Sequence, residues 1–549
     1  MMGKQAGNSK TRVGDAAVTA PSADSLKAAL FVTLCAGLLI AVSHYVEQYL
    51  RYCGRLPESV YRQPLIFFGL FFHDWTRVLG VVLCCVPIVF SPQSRWSEMV
   101  EFKAIRPVVM MTAFAVTWAF STYSYNFFYD QSHLFDRSLL IILFGLTLWR
   151  PCWFPLFLLT AVTIVSQFEH PMPGYSWTDK ILPFRVLFLF CSYLVVFRLF
   201  DAQTAVRAFF LVLFAMTGAH YFIAGWGKLE MEWWNYGHVY HIVAAAWANG
   251  WLGFLSESEI IRVIDVAAFL DPVVVVFTLL VEVSSLFFLF HRRIAIGLVL
   301  GWLLLHVGIF VFSGICFWKW ALLDLAIVLA LRQMSHETSR WLFCSKRAFA
   351  CAGLILILSF VVTRPVKLAW YDTRLAHTYR FVGTGVSGTR YDIGKFFMAP
   401  YDLQLAQNRL RYFPDQDLIV RTYGMTQNPK LAAELLKSPS ELELEELIEW
   451  DRIGQHNPAA VATFDRFVTT YFRNVNSQLS LKRWHFPAAA PQHIWTMPTG
   501  HQFDCGEPLE RFAVHLVTTM YDQSTGIVQL SDRPIHVVTI PEAKNAESK

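Results

Sequence analysis

Charge is scarce in this chain. Asp, Glu, Lys and Arg make up only 16% of its 549 residues, too few to clothe a soluble domain of that size. The basic residues stand singly or in pairs beside apolar stretches, so a net charge of +5 marks topology and excludes a nucleic-acid surface. The ten cysteines include no C-x-x-C and no ligand spacing. Most of them (Cys35, Cys84, Cys85, Cys191, Cys351) lie inside apolar segments, which argues against both a zinc site and a disulfide framework. No small-x-small cleavage site follows the polar residues 1–25, which contain Lys4, Lys10 and Arg12, so the first apolar run reads as a retained span. Internal repeats of 20 to 50 residues are lacking as well. What is abundant is hydrocarbon: 55% hydrophobic, 16% aromatic and a mean hydropathy of +0.40. This is the composition of an integral membrane protein.

Apolar segments lie at 28–46, 77–90, 108–122, 138–149, 152–166, 183–200, 206–226, 273–290, 294–316, 318–331 and 348–363. Several are shorter than the roughly 20 residues a span needs, so the expected count is nine to eleven. With the N-terminus in the cytoplasm, Arg95, Lys103, Arg106, Arg150, Arg198, Arg207, Arg292, Arg293, Arg332, Arg340, Lys346 and Arg347 all fall inside, as the positive-inside rule requires. Loops 47–76, 123–137, 167–182 and 228–272 then lie outside, and Arg51, Arg55 and Arg62 break the pattern.

From about Arg364 no spanning run recurs. Tyr379 to Asp402 is rich in glycine and aromatics and predicts short strands. Segments 428–437, 439–453 and 457–480 read as helices, with Asn457-Pro458 a cap and first turn. Arg511 to Ile540 alternates like strands around a Gln523–Gly526 turn. The expected architecture is an all-α polytopic membrane bundle over residues 26–363, followed by a smaller α+β extramembrane domain over 364–540. Residues 1–25 and 541–549 are expected to be disordered.

The stretch with the most chemistry is GAHYFIAGWGKLEMEWWNYGHVYH, Gly218 to His241, where a long apolar helix stops at Lys228 and gives way to acids, tryptophans and histidines. A lysine at such a border either snorkels to headgroups or is held in a drier pocket that favours the neutral amine. The second kind is a base.

YFIAGWGKLEMEWW resembles the YFIAGxxKLDxDW stretch of the vitamin K-dependent γ-glutamyl carboxylase family, whose membrane part defines the wider horizontally transferred transmembrane (HTTM) group. Here it is Tyr221, Phe222, Ile223, Ala224, Gly225, Lys228, Leu229, Glu230, Glu232 and Trp233, with Glu in place of two Asp. Ser132 to Trp149 is similar to the family's NHxYL segment, with His133 in the position of its functional histidine and Ser132 where the family has Asn. Leu304 to Trp318 is similar to a late helix carrying His306, Ser313, Gly314, Ile315 and Phe317. The resemblance covers roughly residues 28 to 335.

The resemblance implies a vitamin K hydroquinone or menaquinol-like reduced quinone whose hydroxyl is deprotonated by Lys228. Its oxygenation by O2 would be coupled to proton removal from a glutamate side chain that captures CO2, without a metal. It further implies a protein or peptide substrate, membrane lipid around the bundle, no nucleic acid, and a bacterial inner membrane or endoplasmic reticulum with the C-terminal domain periplasmic or lumenal.

Read as residues alone, the candidates keep alternatives. Phe222, Trp226 and Trp233, with Trp234 and Tyr236, suit ring stacking or an interfacial aromatic belt. His133 is either a hydrogen-bond donor to substrate or a headgroup contact. His306 belongs to packing or to the pocket. Glu282, an acid at membrane depth, is functional or a structural partner of His306. Cys53 and Cys505 fall on one side and allow a disulfide. His220 and His241 sit near Lys228 without metal-ligand spacing. Three readings follow: a carboxylase-like enzyme, a non-carboxylating HTTM protein that assists peptide export or maturation, and a transporter. The missing repeat and missing Gly/Pro-broken half-helices disfavour the third, and Lys228 favours the first.

Overall fold

The computed structural model describes residues 23–542, apart from 92–94, 124–126, 131–132, 171, 173–179, 345–346, 399–400, 402–404, 406–409, 415, 438–440, 486–488 and 498–499. Ser132 and most of both expected disordered termini lie outside the described residues. Among the described residues fifteen α-helices come first: α1 Ala23–Gly54, α2 Glu58–Tyr61, α3 Ile66–His73, α4 Trp75–Phe90, α5 Phe102–Thr122, α6 Leu134–Trp149, α7 Phe154–Ser166, α8 Ile181–Val196, α9 Ala202–Glu230, α10 Val239–Ala248, α11 Glu257–Val283, α12 Arg292–Ser313, α13 Trp318–Gln333, α14 His336–Leu342 and α15 Ala348–Ile357. Among the described residues, six helices are long and apolar enough to cross a membrane: Leu26–Gly54, Phe102–Thr122, Pro151–Glu169, Ala202–Glu230, Glu257–Phe287 and Arg292–Ser313. That is fewer than the nine to eleven expected, because stretches 77–90, 138–149, 183–200 and 318–331 form helices of only 16 residues each and 348–363 is also a shorter one. Arg150-Pro151 ends α6, since Pro151 has no amide hydrogen to continue the ladder.

The expected outer loop 228–272 is largely helical. It holds α10, an apolar helix, and the first half of α11, which begins at a Ser256/Glu259 capping box and so reaches much further back than its apolar run at 273–290. Helix α9 is the axis of the bundle. The whole apolar window of α9 is buried, and α1, α8, α11 and α15 pack around it. Gly225 sets its closest approach to α11, because a Cβ there would lie 2.8 Å from Glu282 Cβ and 2.9 Å from Val283 N.

After α15 the chain builds β1 Tyr371–Asp372, β2 Leu375–Gly385, β3 Arg390–Asp392, β4 Met425–Thr426, β5 Leu509–Asp522 and β6 Gly526–Thr539. Strands β2, β3, β5 and β6 form one antiparallel sheet in the order β3-β2-β5-β6, and β1 pairs with β4. The turn joining β5 to β6 falls where alternation placed it: Asp522 accepts from the Ser524 amide at 2.8 Å, and Gly526 supplies φ +81°. Helix Pro458–Ser477 is capped by Asn457. It lays Phe464 and Phe472 on Phe512 of β5 and Phe467 and Tyr471 on Phe128 and Phe127 below α6.

The C-terminal region is therefore docked on the bundle. Backbone amides of Cys316, Trp495 and Met497 donate to His493, Gly314 and Gly250 carbonyls at 2.7, 2.9 and 2.7 Å, and Arg466 grips Glu58 at 2.8 and 2.9 Å. The Cys53–Cys505 disulfide is not formed. Both thiols are free: Cys53 packs at the α1/α4 contact against Gly80, whereas Cys505 follows the helix that carries Lys482.

The Gly225 contact gives a direct test. Gly225→Ala forces α9 and α11 apart and should cost about 1–3 kcal/mol. A lowered Tm in detergent, followed by fluorescence-detected gel filtration, checks it, and an unchanged Tm contradicts the close approach.

Candidate functional site

Helix α9 brings Tyr221 and Lys228 to one face, two turns apart. Lys228 is 8% exposed, and its Nζ donates to both carboxylate oxygens of Glu282 on α11, at 2.9 and 2.8 Å. The amine also lies over the Trp233 ring at 5.6 Å. Gly225 lets the two helices meet closely enough for this pair. Gly227 does the same on the other side, where a Cβ would stand 3.1 Å from that of Ala369. The glycines of the motif thus earn their place by close backbone approach.

Deeper in the bundle lies a second acid. Asp324 of α13 accepts from the Tyr221 hydroxyl at 2.8 Å, and its Oδ2 lies 3.3 Å from His306 Nδ1 on α12. Glu282 therefore does not pair with His306, as one alternative had it: the lysine takes Glu282 and the histidine takes Asp324. Trp302 stacks on Tyr221 at 4.0 Å, and Phe317 on His306 at 5.4 Å. Glu282 lies within electrostatic range of both Tyr221 and His306, so four helices contribute to one buried acid-base cluster. Asp324 Oδ1 is buried without a hydrogen-bond partner, which is costly unless something else binds there.

Toward the docked sheet the cluster continues. Trp233 stacks on His238 at 4.0 Å and donates to the Trp370 carbonyl at 3.0 Å. His238 meets Trp233 O at 2.6 Å through Nε2 and Asp372 Oδ2 at 3.2 Å through Nδ1. A carbonyl can only accept, so Nε2 carries a hydrogen, and His238 and Asp372 share a further proton between them. Burial pushes the Asp372 carboxyl above the usual carboxylate range. Asp271 Oδ1 accepts from the amides of His238 and Val239 at 2.9 and 2.6 Å and so starts α10.

The other candidates divide. Phe222 and Trp226 turn the opposite way, onto Phe360 at 6.3 and 6.0 Å, and Trp226 is 37% exposed, bonded to Glu230, as a belt residue would be. His133 is fully buried. It lies beside Tyr129 at 5.1 Å and Asp136 at 3.3 Å, and Asp136 accepts from the Ile66 amide at 3.0 Å. That neighbourhood joins α3 to α6, away from the contacts of Lys228. His220 faces Arg185 at 3.0 Å, and His241 bonds the Gly237 and Asp372 carbonyls at 2.9 and 3.1 Å.

Asp324 escaped the sequence reading although it is a lone acid in WKWALLDLAIVLA, the same signal that singled out Glu282. Lys395 and Lys482 also escaped it. Both are buried in the docked region: Lys395 donates to Asn249, and Lys482 donates to Phe397 O at 2.7 Å and to the Tyr471 hydroxyl at 2.9 Å. Desolvation lowers each to about 7. Among the described residues no three His, Cys, Asp or Glu side chains gather as metal ligands would.

Comparison with protein-family models, curated proteins and solved structures returns no match to this chain.

Two outcomes are expected. Lys228→Met strands a buried carboxylate and should destabilise the bundle by about 3–5 kcal/mol, most of it recovered in Lys228→Met/Glu282→Met. A double-mutant cycle on thermal unfolding measures this, and additive losses would disprove the coupling. For Lys395 the folded value lies below the ordinary 10.5, so between about pH 7 and 10.5 the unfolded chain binds a proton that the folded chain does not. Stability from this group therefore climbs with pH across that window, and the full penalty is present below about pH 7. Lys395→Met should raise Tm at pH 7 and flatten its rise toward pH 9.

Proposed function

We propose that this chain is a quinone-dependent membrane enzyme of the γ-glutamyl carboxylase type, which couples oxygenation of a reduced quinone to modification of glutamate in a protein or peptide. The observation that carries the reading is the buried Lys228–Glu282 pair, backed by Tyr221, His306 and Asp324. The family resemblance supplies the substrate class.

The donor chemistry fits a hydroxyl-bearing ring. There is a buried amine, a buried carboxylate beside it, a buried Asp324 oxygen without a hydrogen-bond partner, and the aromatic rings of Trp233, Trp302 and Phe317. A reduced quinone, when bound, supplies the acidic hydroxyl and the electrons that dioxygen consumes. The chain's part is proton handling. Lys228 would pass its proton to Glu282 and stand as the neutral amine that could accept a proton from a ring hydroxyl held beside it. The net result is a Glu282 carboxyl beside a Lys228 ammonium. Dryness alone would leave a lone lysine neutral, but this lysine is paired, and Glu282 is the group that makes the amine available. Trp233 and the packed glycines keep water from the pair, as strongly basic chemistry requires.

A second reading draws on the same geometry. A bidentate bond at the tightest α9/α11 contact is also what a structural clamp would show, as in a non-carboxylating HTTM protein that assists peptide export or maturation.

An assay separates the two. Full-length protein in nanodiscs is given reduced menaquinone or phylloquinone, labelled CO2 and a glutamate-rich peptide. Label should enter the peptide, and Lys228→Ala and Glu282→Gln should each lower the rate by about 10²-fold or more. No incorporation by folded wild-type protein establishes the clamp.

A further inference from the structure

The segment between α1 and α4, placed outside the membrane by its position between two apolar runs, contains α3, eight residues of sequence IFFGLFFH. Ile66 and Leu70 form its buried face, and the helix packs on α4 and α7. Its start is fixed, because the Asp136 carboxylate of α6 accepts from the Ile66 and Phe67 amides at 3.0 and 3.3 Å. Its other face is aromatic and open. Phe68 is 49% exposed, Phe72 86%, and Trp75, the first residue of α4, 74%. Large rings gathered on one short element make a patch, and a patch asks for a partner.

This patch is not isolated. Helices α4 and α6 both pack on α7, which lies in a candidate span that is 89% buried, and both turn apolar residues outward: Leu79, Leu83 and Val86 on α4, Ile141 and Ile142 on α6. Those faces meet hydrocarbon where α7 spans. Yet α4 and α6 have only 16 residues each. At 1.5 Å per residue that is about 24 Å, against a hydrocarbon core about 30 Å thick. Helix α3 stands at the short end of both, joined to the start of α4 by Asp74 and tied to the start of α6 by Asp136. The Asp74 carboxylate accepts from the Tyr52 hydroxyl at 3.0 Å and the Arg77 amide at 3.1 Å, so this acid carries its own donors, as an acid at a membrane boundary must. On α2, which packs on α3, the surface turns charged: Glu58 accepts from Arg62 at 2.7 Å and from Arg466 of the docked region.

We infer that α3 is an interfacial helix, seated at the headgroup–acyl boundary of the leaflet nearer the docked region, with Phe68, Phe72 and Trp75 in lipid. It extends the apolar wall that α4 and α6 leave short, which relieves a hydrophobic mismatch. The partner is lipid, in preference to a second copy of the chain or a peptide, because the patch runs into the outward faces of α4 and α6 and lies where their length falls short. The inference is independent of Lys228 and holds under either reading of the protein.

Photocrosslinking tests it. Full-length protein in proteoliposomes, carrying p-benzoylphenylalanine in place of Phe72, Trp75, Leu83 or Glu446, is irradiated and digested, and lipid adducts are read by mass spectrometry. All four positions are exposed, so the probe leaves the core intact. Phe72 and Trp75 should give acyl-chain adducts as Leu83 does, and Glu446, on the acidic helix Glu441–Trp450, should give none. Loss of adducts at Phe72 and Trp75 while Leu83 reacts puts α3 in water and overturns the proposal. A covalent dimer at Phe72 overturns it in favour of self-association. Adducts at none of the four positions, or equal adducts at all of them, remove the lipid-facing wall on which it stands.

Discussion

The approach of α9 to α11 at Gly225 governs the rest of this protein. Only a residue without a Cβ lets Glu282 Cβ and the Val283 nitrogen come so near, and at that separation the carboxylate meets Lys228 with both oxygens. A salt bridge in a dry interior repays its desolvation when geometry is close to ideal and is a liability otherwise. The glycine and the ion pair are therefore one device, and neither has value without the other.

Around that contact the bundle arranges its polar groups by partner. Each buried acid of the cluster has a specified mate: Glu282 takes Lys228, Asp324 takes Tyr221 and His306, Asp372 takes His238, and Asp271 takes two backbone amides. Aromatic rings fill the spaces between them, Trp302 against Tyr221 and Trp233 against His238, and hold water away without adding charge. The docked C-terminal region closes one end of this cluster, because Trp370 and Asp372 come from its first residues.

Much of the fold was legible beforehand. The β5/β6 hairpin followed from strict alternation around a turn, and the Asn457 cap from its Asn-Pro signature, since both depend on local geometry. The glycines of the YFIAGWGK stretch sit at close backbone approaches, which their lack of a Cβ permits. The span count was not legible. Helix α10 is apolar yet short, and α11 extends far beyond its apolar run, because helix length is set by capping and packing as well as by hydropathy. Partner choice was not legible either: Glu282 was placed with His306 as one alternative, but Asp324, five residues after Lys319 and unremarked, holds that histidine.

The sequence by itself determined that this is a membrane protein with a focal lysine at a helix end, because composition and periodicity report on solvent and local conformation. Tertiary structure alone decided which acid meets that lysine, that His133 serves a different neighbourhood, and that Asp324 meets Tyr221 and His306. Each of those depends on which helices touch and at what rotation. Contacts between segments fifty or more residues apart leave no mark on the pattern of either segment.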